Sequence, residues 1–162
     1  MRENNIKGWM SEKELQFLYD SAKEMKSIVE LGSYLGRSTV ALAEGVKEAV
    51  FAVDHWDWKG GGGLKMDGTE YEQFLENTKD FDNIIVLKGT TMEASKKIGK
   101  VDMVFIDADH SYEAVKQDIE TWLPRTHKLI CGHDYDFDEV KKAVDELLEI
   151  DGVIGSVWWK WV

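Results

Sequence analysis

Five short apolar runs, each closed by glycine or a polar side chain and followed by a stretch of helical period, constrain this chain more than any other feature. The runs are 28–31, 50–53, 84–87, 102–106 and 128–131, with helical spacing over 38–47, 69–80, 92–98 and 112–123. Alternation of this kind specifies a parallel sheet joined by right-handed helical crossovers. Met103-Val104-Phe105-Ile106 has no polar side, as a central strand covered on both faces requires. A first helix is expected over 12–26, opened by a capping box of Ser11 and Glu14 with Met10 and Leu15 as its hydrophobic staple. Trp9, just before it, is expected to pack. Asp136-Phe137-Asp138-Glu139 spells a second capping box, for a helix reaching 149. Residues 153–162 read as one alternating strand with Val157, Trp159 and Trp161 on one side. The whole, 1–162, reads as one domain with a loose tail over 1–10.

The first run carries the most specific turn. Glu30-Leu31-Gly32-Ser33-Tyr34-Leu35-Gly36 leads into Arg37-Ser38-Thr39, where a helix begins. A strand, a glycine-bracketed loop and a helix N-terminus together make a site for part of a nucleotide. Asp54 closes the second run about 20 residues later, where an acid suits a ribose diol. A pyrophosphate fingerprint needs G-x-G-x-x-G, and Ser33-Tyr34 stand in place of its middle glycine. Glu30 would repel phosphate but suits a cation. S-adenosylmethionine (SAM) carries a sulfonium, an ammonium and a ribose, and no phosphate. On this stretch alone an ordinary βα turn, with glycines for packing only, stands equally.

The other run ends add to it. In open sheets of this type ligands sit beyond the carboxyl ends of the strands. Those ends carry Asp54-His55-Trp56, Gly89-Thr90-Thr91, Asp107-Ala108-Asp109-His110 and Gly132-His133-Asp134. Carboxylates and imidazoles in one cleft either bind a divalent cation or act as general acid and base. Gly60–Gly63, flanked by Trp56 and Trp58, reads as a flap beside a pocket.

Composition excludes several classes. A net charge of −11 without a basic patch argues against nucleic acid as a partner. No apolar run approaches the roughly 20 residues of a membrane span, and the N-terminus has no signal-peptide core. The single cysteine, Cys131, forbids an internal disulfide, and a cytoplasmic setting is expected.

Taken together, Val29–Thr39, Val53-Asp54-His55-Trp56, Phe105–Glu113 and Gly132-His133-Asp134-Tyr135 resemble, in order, the motifs of small class I SAM-dependent methyltransferases, the type that includes catechol and macrolide-sugar O-methyltransferases. The resemblance covers about residues 9–162. It implies a Rossmann-like three-layer α/β/α sandwich with a mostly parallel sheet of six or seven strands, order 3-2-1-4-5-7-6, and a short C-terminal hairpin. It implies cofactor contacts from Glu30, Gly32 and Gly36 to the methionine part and from Asp54 to the ribose, with Ser33, Ser38, His55 and Trp56 also among the cofactor-binding residues. Gly89, Thr90 and Thr91 would lie at the adenine edge, and Asp107 beside the sulfonium. Asp107, His110 and His133 become the candidate catalytic residues, for methyl transfer to a hydroxyl of a small molecule or sugar. Metal-dependent relatives draw ligands from the fourth strand end and from an acidic pair after the fifth. Asp107, His133 and Asp134 take those places, with His133 a departure that suits transition metals better than magnesium. Two alternatives stay open: a non-catalytic SAM- or nucleotide-binding module, assembled as a homo-oligomer through Trp158, Trp159 and Trp161, and an NAD-dependent oxidoreductase, which the absent middle glycine disfavours.

Overall fold

The computed structural model describes residues 5–57 and 67–162. The expected flap at Gly60–Gly63 lies outside them. Seven strands form one sheet in the order β3-β2-β1-β4-β5-β7-β6. These are β1 (Ser27–Leu31), β2 (Ala49–Asp54), β3 (Ile84–Lys88), β4 (Val101–Ile106), β5 (Thr126–Gly132), β6 (Gly152–Ile154) and β7 (Val157–Trp161). The first five run parallel, and β7 pairs antiparallel with both β5 and β6.

Side chains alternate across the central strands and so feed two cores. Ile28, Met103, Phe105, Leu129 and Cys131 face one way, against α1 (Glu12–Ala22) and α2 (Arg37–Gly45). Val29, Leu31, Val104, Ile106 and Ile130 face the other, against α5 (Tyr112–Trp122) and α6 (Asp138–Leu147). Two further α-helices among the described residues are α3 (Glu70–Thr78) and α4 (Thr91–Ser95). Each fully buried Leu, Ile, Val or Phe contributes about 1.5–3 kcal/mol, and both faces of the sheet are covered this way. Among the described residues no helix is long and apolar enough to cross a membrane.

Local chemistry explains the helix starts. Ser11 caps α1, and Glu14 returns the bond to complete the box. Met10 and Leu15 are buried in the same core. The second expected box does not form: Phe137 is the N-cap of α6, with no side-chain cap bond, and the helix ends at Leu147. A box is present instead at α4, where Thr90 and Glu93 cap each other.

The C-terminal stretch is a hairpin, not a single strand. Gly155, at φ +61°, turns the chain between β6 and β7. Trp158 is 1% exposed and rests where Gly132 has no side chain; a Cβ there would lie 2.6 Å from its ring. Trp159 packs on Phe17, their centroids 4.8 Å apart. Of the three tryptophans expected as an exposed edge, only Trp161 is substantially exposed.

Candidate active site at the carboxyl ends of the strands

The loop after β1 is held from within. Glu30 is fully buried and receives hydrogen bonds from Ser33 Oγ (2.7 Å), Ser38 Oγ (2.6 Å) and Thr39 Oγ1. Burial raises its pKa to about 7 against the pull of these hydroxyls. Asp54, ending β2, accepts from the backbone amides of Ser33 (3.0 Å) and Tyr34 (2.9 Å) with one oxygen and from Trp56 (2.8 Å) with the other. Two carboxylates thus fix the glycine loop, one through its hydroxyls and one through its amides.

Gly32 presses this loop onto the next strand. Its φ is +88°, and a Cβ there would stand 2.1 Å from the Asp107 carbonyl oxygen. The loop and the end of β4 therefore touch backbone to backbone. Among the described residues three non-glycine residues hold positive φ, and all lie just beyond a strand end: Tyr34 after β1, Trp56 after β2, and Asp134 after β5. Strain of this kind collects where a site over-determines the backbone.

Beside the loop stands a compact ionic cluster. His110 Nε2 lies 3.5 Å from Asp107 Oδ1 and 3.1 Å from Asp134 Oδ2. His133 Nδ1 lies 3.6 Å from Asp107 Oδ1 and 3.3 Å from Asp134 Oδ1. The other nitrogen of His133 faces Glu14 Oε1 at 3.5 Å. Burial opposes the charge on His133, but hydrogen bonds to Asp107 and Asp134 outweigh it and push its pKa up to about 10. Hydrogen bonding to Asp107 likewise raises that of His110. Burial alone would lift the Asp107 carboxyl, yet bonds from His110 and His133 hold it below the usual range. His133 is enclosed, whereas His110 is half exposed and opens the cluster to solvent.

Three side chains of the cluster converge in a way that a cation could use. Asp107, His110 and Asp134 each offer one ligand atom, all within 4.8 Å of one another. Carboxylate oxygen with imidazole nitrogen is a donor set suited to first-row transition metals.

The methyltransferase domain family matches residues 29–135 of this sequence. The chain belongs to that family. The match runs from inside β1 to Tyr135 and takes in the glycine loop and the acidic strand ends at Asp54, Asp107 and Asp134. Among solved structures, the O-methyltransferase of Bacillus cereus in complex with SAH superposes with a TM-score of 0.70 at 16% identity, covering 96% of this chain and 84% of that one. SAH-bound methyltransferase PaMTH1 of Podospora anserina gives 0.72 at 16% identity, over 95% and 80%. At such identities the likeness is one of fold. The protein y4gI of Sinorhizobium fredii (strain NBRC 101917 / NGR234) is 28% identical over 123 residues, 70% of this chain. The chain spans 14% of that relative's length.

In this methyltransferase domain the sequence-predicted residues divide by what they touch. Gly32, Gly36, Glu30, Ser33, Ser38 and Asp54 come together around one loop. Gly36 is at φ +91°, close over Phe74 and Thr78 of α3. Asp107, His110, His133 and Asp134 form the adjoining cluster. Trp56 sits in an apolar cluster with Ala52 and Phe74, its Nε1 donating to the Tyr34 carbonyl (2.7 Å). His55 is exposed, and its Nδ1 accepts from the amide of Asp57 (2.9 Å). Gly89 donates its amide to the Asp54 carbonyl (2.9 Å), joining the ends of β2 and β3. Thr90 is the cap of α4, and Thr91 Oγ1 donates to Asp118 (2.6 Å). Trp9, expected to pack, is 67% exposed with its ring against Tyr34.

Sequence reasoning missed Glu14, Thr39 and Asp118. Glu14 is fully accounted for locally by its capping box, so nothing along the chain signals its reach to His133. Thr39 follows Ser38 at the start of α2, and only the fold shows that both hydroxyls meet Glu30. Asp118 lies on α5 at helical spacing from Val115 and Trp122, a register that marks it as buried.

Proposed function

We propose that this methyltransferase domain moves the methyl group of SAM onto a hydroxyl oxygen of a small molecule or sugar. The observation that carries the reading is the contact between Gly32 and Asp107. It puts a glycine loop of cofactor-binding type and a proton-handling cluster on one rim of the sheet. SAH in the B. cereus and P. anserina structures supports SAM as the donor.

In this reading the methionine part of SAM lies over Gly32–Gly36, and Asp107 faces its ammonium. Asp54 is fixed at the β2 end with one lone pair still open toward a ribose hydroxyl. Methyl transfer is an in-line displacement: the acceptor oxygen forms the new C–O bond as the C–S bond breaks and the sulfonium becomes a neutral sulfide. The protein's part is to hold the two reactants in line and to favour the ionised hydroxyl. Asp107, His110 and His133 present the polar face that orients the hydroxyl, and the ionised Asp107 carboxylate is the group that accepts its proton. Asp107, His110 and Asp134, with His133 beside them, would hold a divalent cation, which when bound would polarise the acceptor oxygen.

The test is calorimetric titration with SAM and, separately, with NAD, followed by assay for SAH with a mixed pool of hydroxylated metabolites. SAM uptake with SAH release supports the reading. SAM uptake without SAH from any acceptor favours a binding module, and NAD uptake without SAM rejects both.

A further inference from the structure

We propose that the groove between α1 and the β6–β7 hairpin is a docking site for an amphipathic helix of basic character. The inference goes beyond the methyl-transfer reading and does not need it. The groove shares no lining residue with the glycine loop or the ionic cluster.

Uneven cover of the sheet is the first argument. β7 turns Trp158 toward α6, where it is buried in one cluster with Val140, Ala143 and Val144. Val157 and Trp159 face α1, and alternation places Trp161 on the same side. Along that row the cover runs out: Val157 is fully buried, Trp159 is half-buried and Trp161 is 49% exposed. The groove left there measures about 720 Å³, with Phe17, Ile154 and Trp161 as its apolar members. An apolar strip rimmed by polar side chains is the form that protein–protein sites take.

Its shape is the second. Glu12, Gln16, Asp20 and Glu24 recur at every fourth residue along one wall, from the first turn of α1 to just past its last residue. The 11 residues of α1, at about 1.5 Å each, give a channel about 16 Å long. A three-turn helix laid beside α1 at a spacing of about 8–10 Å fills such a channel. A strand suits it less, because edge strand β6 has only 3 residues and offers too short a ladder.

Charge selects the occupant. Glu12, Asp20 and Glu24 line the groove with a single cation among them, Lys13. Asp20 also bonds Lys23 (2.6 Å) and Gln16 (2.9 Å), and an exposed pair of this kind is worth little. Lys128 reaches the Glu24 carbonyl (3.0 Å), but its charge is matched by Asp102 (3.1 Å). A second copy of this chain is disfavoured, because each copy brings a net charge of −11 to the contact. The occupant is therefore a helix with aliphatic or aromatic anchors at i, i+4 and i+7 and with Lys or Arg beside them.

The experiment titrates the full chain into a fluorescein-labelled synthetic peptide of about four helical turns, with Leu anchors at that spacing and Lys on their flanks, and reads anisotropy. Two control peptides carry Glu in place of Lys, or the same residues in scrambled order. The expected result is saturable binding of the Lys peptide alone, weakened by added salt. Trp161→Ala, and Asp20→Lys combined with Glu24→Lys, are each expected to weaken it by at least roughly 10-fold. Glu72→Lys combined with Glu120→Lys makes the same change in net charge on α3 and α5, and is expected to bind as the wild type does. Circular dichroism on each variant separates lost docking from lost folding. Absence of binding, equal binding of the scrambled peptide, an equal loss in the remote charge variant, or wild-type affinity in a folded Trp161 variant would each overturn the proposal. So would a dimer in sedimentation equilibrium that Trp161→Ala dissolves, since a second copy then fills the groove. SAM titration reads other residues, so failure of either reading leaves the other standing.

Discussion

The Nε2 atom of His133 and the Oε1 atom of Glu14 lie 3.5 Å apart, which ties the end of the fifth strand to the first helix of the chain. The same carboxylate caps its own helix through Ser11 and takes the amide (2.7 Å) and hydroxyl (3.1 Å) of Ser156. One buried side chain thus joins three parts of the fold at the edge of the site. Glu14→Ala removes a helix cap, worth about 1 kcal/mol. It also leaves buried donors unsatisfied, at about 1–3 kcal/mol. Urea denaturation is expected to show a loss of about 2–4 kcal/mol, and a loss under 1 kcal/mol would mean the contacts carry little weight.

Gly32→Ala tests the contact on which the site is built. A methyl group at that position meets the Asp107 carbonyl at 2.1 Å, and the backbone is at φ +88°. The loop must move away from β4, at a cost of about 2–4 kcal/mol. SAM affinity is expected to fall with it, more than at Gly99→Ala, where a Cβ meets open space. Equal affinities in the two variants would separate the loop from the cofactor.

Asp118 makes stability depend on pH in a stated direction. It is 3% exposed, and burial raises its pKa from 3.8 to about 6, against the pull of Thr91. The folded state therefore holds the proton more tightly than the unfolded one. Its contribution is most favourable below about pH 4, declines as pH rises to about 6, and is flat above that. Asp118→Asn keeps an acceptor for Thr91 and carries no charge. It is expected to raise stability at pH 8 by up to about 3 kcal/mol, with the gain vanishing toward pH 4. Thermal denaturation of both proteins across that range checks it; a gain independent of pH would contradict the assignment.

Much of this was legible along the chain because the information is local or periodic. Apolar runs without a polar side, such as Met103–Ile106, mark central strands. Gly32 and Gly36 mark a turn that only positive φ allows. Asp54, Asp107 and Asp134 fall where strands end, so a parallel sheet brings them to one rim. The relationships that escaped are those between elements far apart in sequence. Glu14 satisfies a local rule and gives no sign of a second partner. Thr91 reads as a rim residue until Asp118 is seen opposite it. The box spelled by Asp136 and Glu139 is good local chemistry overridden by the path of the chain out of β5, which makes Phe137 the cap. The tail reads as one strand because Val157, Trp159 and Trp161 alternate, although Gly155 just before them is where a hairpin turns.

His110 and His133 differ in access, which separates their roles in kinetics. His133 is enclosed by Glu14, Asp107 and Asp134, whereas His110 is half exposed. With an acceptor in hand, His110→Ala and His133→Ala are each expected to lower kcat by about 10²-fold or more, the scale of a positioned proton-handling group. Only His133→Ala is expected also to destabilise the fold, by about 1–3 kcal/mol, since it strands buried carboxylates. Unchanged turnover in both variants would remove the cluster from the chemistry.

The most direct measurement is isothermal titration of the purified chain with SAM, in parallel with Gly32→Ala. The account predicts saturable uptake of a single SAM by the wild-type chain and a sharp loss of affinity in the variant. No heat of binding from either SAM or SAH at millimolar concentration would contradict it.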